Sequence, residues 1–219
     1  FDGWSMRVVQ QELAELYTSL SNHTVPALQT LPVSYVDFTH WHHGWLQGDE
    51  LASQLSYWVK QLSGLGEPLA LPTDLSRPAV ISNRADSLTL EFSKAATDHA
   101  RAFAASQDAT LFMVNLALYV VFLARHSGQS DFVIGLPVHG RHDVELEPVV
   151  GFFANTLALR AKLEPADSFK DVLRRVRASL LDAFNHADAP FEQVVRALRL
   201  PRDESRFPVY QTLFAYEDV

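Results

Sequence analysis

Phe132-Val133-Ile134-Gly135-Leu136-Pro137-Val138 is an almost unbroken apolar run, and its length and β-branched content read as a buried strand interrupted by Gly135 and Pro137. The pattern changes on either side of it. Upstream, Leu111 to His126 is apolar nearly all round, which predicts a buried helix that Thr110 caps and Gly128 ends. Ser93 to Ser106 reads as another helix, with little charge. Before it, Ser87 to Phe92 places Leu88, Leu90 and Phe92 at alternate positions, a strand pattern. Downstream, Asn155 to Leu163 alternates Leu157, Leu159, Ala161 and Leu163, a further strand. Ser168 and Asp171 form a capping-box start, and Phe169, Val172, Leu173, Val176, Leu180 and Phe184 then share one helix face. Pro190 suits the first turn of a helix ending near Leu200, and Val209 to Tyr216 reads as a last strand. Strands and helices mix without strict alternation, which predicts an α/β sandwich on a mixed sheet.

The first third of the chain is mostly helical. Ser5 caps a helix running to about Leu20, with Val9, Leu13, Leu16 and Leu20 as its apolar stripe and Tyr17 beside it. After Pro26 and Pro32, Trp41 to Leu62 predicts one or two helices anchored by Trp45, Leu51, Leu55, Trp58 and Leu62. Gly64 to Ala79, punctuated by Gly64, Gly66, Pro68, Pro72 and Pro78, is the best linker candidate.

Composition narrows the function classes. The formal net charge of −8 argues against nucleic acid as a partner, because phosphate binding wants a basic surface. It argues more weakly against an anionic membrane. The chain has no cysteine, which removes disulfides, thiolate nucleophiles and cysteine–zinc sites and fits a cytoplasmic protein. The run Phe112 to Ala124 contains Asn115 and is too short to span a bilayer. The opening Phe1-Asp2-Gly3-Trp4-Ser5, with no initiator Met, suits a piece of something larger.

Several segments, in order, resemble the motifs of nonribosomal peptide synthetase condensation domains. Asp2-Gly3-Trp4-Ser5 resembles the end of His-His-x-x-x-Asp-Gly-Trp-Ser, and Tyr35-Val36-Asp37-Phe38 with Trp41 resembles Tyr-x-Asp-Tyr-x-x-Trp. Gln54 to Trp58, Leu71 to Asp74 and Arg77-Pro78 match the spacer and linker. Ile134 to Arg141 resembles Ile-Gly-x-Pro-Val-x-Gly-Arg, and Gly151 to Thr156 continues it. His186 to Gln193 resembles His-x-Asp-x-Pro-Phe-Glu-x. Arg202 to Pro208, with Gln211 and Phe214, resembles the last motif.

The resemblance implies the chloramphenicol-acetyltransferase-like α/β fold, a mixed-sheet sandwich whose two lobes enclose a tunnel. Residues 1–78 would be the end of the N-terminal lobe and the interlobe linker. Residues 79–219 would be the C-terminal lobe, incomplete at its end, with the rest of the N-terminal lobe missing. The implied activity is acyl transfer: a carrier-bound acyl or peptidyl thioester is joined to a carrier-bound aminoacyl amine. No cofactor binds directly; phosphopantetheine arms on donor and acceptor peptidyl carrier proteins deliver the substrates, and an adenylation domain is a neighbour. A neutral imidazole suits removal of the amine's proton. Both motif histidines would lie upstream of Phe1, so the chain alone is expected to be inactive.

By the same resemblance Asp2 pairs with Arg141 across the lobes, and the Gly3 N–H helps hold the oxyanion. Trp4, Ser5, Gly140 and Asn155 fall along the tunnel, with Trp4 and Ser5 packing and capping rather than reacting. Asn155 among apolar residues needs hydrogen-bond partners whether or not it lines the tunnel. His42-His43 lacks the Asp that the histidine motif requires, so both read as solvated helix residues. His139, His142, Asp143 and Glu145 lack a convincing metal-ligand spacing. His186 and Asp188 read as capping residues at a helix junction, and Ser205 has no nucleophile elbow. The competing expectations are a non-condensing relative, such as an epimerisation or carrier-recruiting domain, and a standalone α/β binding module.

Overall fold

A computed structural model describes residues 1–82 and 84–216; the last three positions of the 79–219 half lie outside the described residues. The elements in chain order are α1 (Gly3–Ser21), α2 (Tyr35–Trp45), α3 (Gly48–Leu62), α4 (Lys94–Ser106), α5 (Leu111–Ser127), β1 (Asp131–Val138), β2 (Asn155–Lys162), α6 (Phe169–Phe184), α7 (Phe191–Leu198) and β3 (Thr212–Leu213). A 3₁₀ turn, Val144–Leu146, lies between β1 and β2.

β1 is the middle strand. It runs antiparallel to β2, with Ile134 opposite Leu159 and Leu136 opposite Leu157, and parallel to β3, with Ile134 opposite Thr212. The sheet is therefore mixed. Every residue from Phe132 to Leu136 is buried, so both faces of β1 are covered. α6 and α7 pack against β2, α5 extends the layer on α6, and α3 lies on α7. Leu116, Val120, Leu123, Ile134, Leu157, Leu180 and Trp58 belong to this one core. Burying each such side chain is worth roughly 1.5–3 kcal/mol; α5 nevertheless leaves Leu118 and Phe122 about half exposed, so the expected burial all round holds for only part of its circumference.

Local signals fix most element starts. Ser93, Thr110 and Ser168 cap α4, α5 and α6 with their side chains, and Ser168 and Asp171 complete a capping box. Ser34 and Asp37 form another at α2. The Trp41 to Leu62 region is two helices, broken at Leu46 and Gln47.

Four expectations change. Asp2, not Ser5, caps α1, and Ser5 is already inside the first turn with its hydroxyl engaged elsewhere. The α1 stripe has the right period, but Val9, Leu13, Tyr17 and Leu20 are exposed because no described element packs on that face; Val8 is buried instead. Ser87 to Phe92 is not a strand: Leu88, Leu90 and Phe92 are exposed and unpaired, since alternation supplies a face but not the partner that a strand needs. The last strand is only Thr212–Leu213, because its pairing with β1 spans two residues.

Arg160 was not singled out by the sequence, yet it ties layers together. Its guanidinium grips both carboxylate oxygens of Asp131 at 2.7 and 2.6 Å. It also donates to the carbonyls of Gln61, Ser63 and Gly64 at the end of α3. Those carbonyls have no intrahelical partner, so Arg160 caps α3 from the sheet.

Candidate active site

The first turn of α1 is fastened to the segment joining β1 and β2 by a buried polar knot. Asp2 Oδ2 accepts from Arg141 Nη1 at 2.7 Å and from the Phe153 N–H at 3.0 Å. Its Oδ1 accepts from the N–H of Ser5 at 2.9 Å and from the Ser5 hydroxyl at 2.8 Å. The Ser5 oxygen in turn accepts from Arg141 Nη2 and from the Gly151 N–H, both at 3.0 Å. Arg141 also donates to the carbonyls of Leu146 at 3.2 Å and Val149 at 3.0 Å, and its guanidinium lies 4.1 Å from the Phe153 ring centre. Burial alone would raise the Asp2 carboxyl. The hydrogen bonds from Arg141, Ser5 and the Phe153 N–H outweigh it and hold that carboxyl well below the usual carboxylate range.

Two glycines make this approach possible. Gly140 has φ of +63°, and a Cβ there would fall 2.1 Å from the Phe153 carbonyl oxygen. Gly151 lies under the Tyr35 ring, where a Cβ would come within 2.2 Å of it. Tyr35 also donates from its hydroxyl to the Phe152 carbonyl at 2.9 Å. α1 and α2 therefore meet the β1–β2 segment at neighbouring residues.

Beside the knot opens a cleft of about 1080 Å³. Its walls come from α2 (Phe38, Trp41, His42, Trp45), from the segment Gly140 to Thr156, from the turn and helix at Ala187 to Arg196, and from Phe207 to Tyr210. The walls are rich in aromatic side chains, with Asp143, Asp188 and Glu192 as carboxylates and Arg196 as a cation. Of the predicted tunnel residues, Gly140 and Asn155 line this cleft. Trp4 and Ser5 do not: the Trp4 indole donates to the Glu147 carbonyl at 2.9 Å, and Ser5 sits inside the knot. Asn155 has all its polar valences occupied. It donates to the carbonyls of Ala187 and Ala189, both at 2.8 Å, and accepts from the N–H groups of Thr156 and Phe191. It lines the cleft and also holds the entry to α7. Gly3 is exposed, and a Cβ there would meet nothing within 4 Å.

The other candidates fall as follows. His43 is exposed, but His42 is half-buried in the cleft and stacked on Phe38, which corrects its reading as a solvated residue. Burial lowers its pKa; Asp188 works against that, while His142 and His43 add to it. His142 Nε2 stands 3.7 Å from Asp188 Oδ1. His186 bonds the Asp182 carbonyl at 2.8 Å and so does cap the end of α6, whereas Asp188 caps nothing and instead meets Gln54 Nε2 at 3.4 Å. His139 turns to the Trp4 ring, 5.5 Å away. Ser205 bonds its own turn through Asp203. Among the described residues, no three His, Asp or Glu side chains are arranged to hold a metal ion. The sequence reading missed the part played by Tyr35 and the Trp41–Trp45 stack; the aromatic spacing along α2 was the available signal.

A family model described as condensation domain matches residues 1–219. A linear gramicidin synthase polypeptide of Brevibacillus parabrevis is 42% identical over 217 residues, which is 99% of this chain and 3% of that protein. The chain thus spans a small part of the curated relative it matches. The X-domain from teicoplanin biosynthesis superposes with a TM-score of 0.87 at 29% identity, over 97% of this chain and 48% of that one. A four-domain nonribosomal peptide synthetase bound to AMP and glycine gives a TM-score of 0.87 at 24% identity, over 100% of this chain and 16% of that one, a likeness of fold. The mixed-sheet α/β architecture is that of the chloramphenicol-acetyltransferase-like fold.

Proposed function

This chain belongs to the condensation-domain family, and we propose that it forms part of a domain that makes an amide from two carrier-bound thioesters in a nonribosomal peptide synthetase. The donor would be an acyl or peptidyl thioester and the acceptor an aminoacyl thioester, each on the phosphopantetheine arm of a peptidyl carrier protein, with an adenylation domain as neighbour. The acceptor amine attacks the donor carbonyl carbon, the C–N bond forms, the C–S bond breaks, and the amine's proton leaves as the donor arm departs as a thiol. Positioning supplies much of the rate for so good a leaving group.

The carrying observation is the Asp2–Arg141 contact of 2.7 Å, which holds the start of α1 beside a cleft of about 1080 Å³. Asp2 and Arg141 shape the loop, and Gly3 presents a first-turn N–H. The proton acceptor belongs to the motif's histidine pair, and none of this sequence's nine histidines stands at those positions. Transfer is therefore expected from the full-length protein and not from these 219 residues alone.

The test is mass spectrometry of products after mixing the full-length protein with loaded donor and acceptor carriers. An amide product that disappears in Arg141→Ala is expected; intact loaded carriers with no amide would sink the proposal. A second reading, a platform that recruits another protein, draws on the 29% identity to the teicoplanin X-domain, which has also been solved in complex with OxyB. It predicts stable binding of a separate protein with no amide formed.

A further inference from the structure

We infer that Ser5 is a positioning residue for the proposed transfer, acting as a spacer inside the Asp2–Arg141 ion pair; this rests on the amide-forming reading above. An arginine facing a carboxylate ordinarily closes on it with two parallel N–H···O bonds. Here only Nη1 reaches the carboxylate directly, at Oδ2. The second arm is interrupted: Nη2 donates to the Ser5 oxygen at 3.0 Å, and the Ser5 hydroxyl, 2.8 Å from Oδ1 and 2.9 Å from the Gly151 carbonyl, gives its one proton to the charged Oδ1, the stronger acceptor. The hydroxyl has one proton and two lone pairs, and the Gly151 N–H takes the other lone pair at 3.0 Å. Ser5 is fully buried, so every valence is met by protein.

The spacer fixes a distance that matters for the site. The Asp2 N–H donates to the Gly151 carbonyl at 3.2 Å, so Asp2 and Gly151 move together. Gly151 begins the run Phe152 to Thr156 that lines the cleft. Without the hydroxyl, Nη2 can close directly on Oδ1 and the ion pair survives in the two-armed form. The Gly151 N–H then loses its acceptor, and the α1 start shifts relative to the cleft wall. Ser5→Ala is thus expected to fold and to misplace the reacting loop, unlike Arg141→Ala, which removes the pair.

The experiment is single-turnover transfer between loaded carriers by the full-length protein, wild type against Ser5→Ala, across carrier concentration. The expected result is a maximal transfer rate reduced ~10- to 100-fold, the loss associated with a displacement of about 1 Å at a reacting centre. The carrier concentration at half-maximal rate stays unchanged, and the melting temperature falls by only a few degrees. A folded Ser5→Ala protein with the wild-type rate, or with its loss confined to the half-maximal concentration, overturns the assignment. So does a Ser5→Ala protein that does not fold, because the pair is then unable to close up. A wild type that makes no amide refutes the underlying reading itself; a wild type that does, matched by Ser5→Ala, refutes only the role of Ser5.

Discussion

Replacing Arg141 by Met breaks the knot from one side while keeping an unbranched chain against Phe153. The Asp2 side chain is 5% exposed and the Arg141 side chain 0%, so water cannot take over the charge left behind. Removing one member of such a buried pair costs about 3–5 kcal/mol. Asp2 would keep the Ser5 N–H, the Ser5 hydroxyl and the Phe153 N–H, which places the loss toward the lower end. The carbonyls of Leu146 and Val149 lose their donor and pull it back up. We expect about 4 kcal/mol near neutral pH, read from urea unfolding followed by tryptophan fluorescence. Trp4, next to Arg7 and His139, is a local reporter. The pH dependence is the sharper part. In the wild type the folded-state carboxyl is depressed, so its contribution is complete above the ordinary carboxylate pKa and is lost as pH falls through the folded value. In the variant the hydrogen bonds kept from Ser5 and the Phe153 N–H still favour the charged form, so the folded-state pKa is less depressed than in the wild type, and the two proteins converge as pH falls between their folded values. The gap between the two proteins must stay constant near neutral pH and narrow as pH falls below the ordinary carboxylate range. Converting Asp2 to Asn in the same protein should recover more than ~1 kcal/mol. A gap under ~1 kcal/mol, as for the exposed pair Lys94–Asp98, or one that widens with acid, would refute the reasoning.

Gly151→Ala drives a methyl into the Tyr35 ring and should cost ~1–3 kcal/mol by overpacking; pairing it with Tyr35→Ala should restore part of that loss in the same unfolding assay, and no restoration would count against the contact. Arg160→Ala strips Asp131 of its partner and the end of α3 of its cap; water reaches the partly exposed Asp131 carboxylate, so the loss is ~1–2 kcal/mol; faster amide exchange should be confined to α3 and the start of β1, and a uniform change would not fit. The His42 ring should titrate below the ordinary histidine range in proton NMR, because burial disfavours its charged form. Asp188→Asn should lower it further, since that carboxylate supports the charge, and an upward shift would contradict the placement of the two groups.

Much of the fold was legible because the signals were local. The capping residues of α4, α5 and α6, the all-apolar α5 and the run Phe132 to Val138 each depend on neighbours in sequence, and each lies where its pattern predicts. What local pattern could not supply was partnership. Leu88, Leu90 and Phe92 have the alternation of a strand without a strand to pair with, and Val209 to Tyr216 pairs over two residues only. The Asp2–Arg141 contact, 139 positions apart in sequence, came from motif resemblance and not from spacing. Ser5 shows the limit of both approaches: a serine near a helix start reads as a cap, and only the geometry around it reveals a tertiary bridge. His42 is similar, since a charged-looking pair on a helix gives no hint that one ring stacks on Phe38.

The attachment of α1 has a mechanical side. The helix has 19 residues and packs extensively on no other described helix or strand, and its firm anchorage is the knot at its first turn. At 1.5 Å per residue it is a rod about 28 Å long hinged at one end. Geometry then sets the gain: a tilt of ~10° at the knot sweeps Ser21 through about 5 Å over that length. Among the described residues, an adjustment around Asp2 is thereby magnified along the helix toward its far tip.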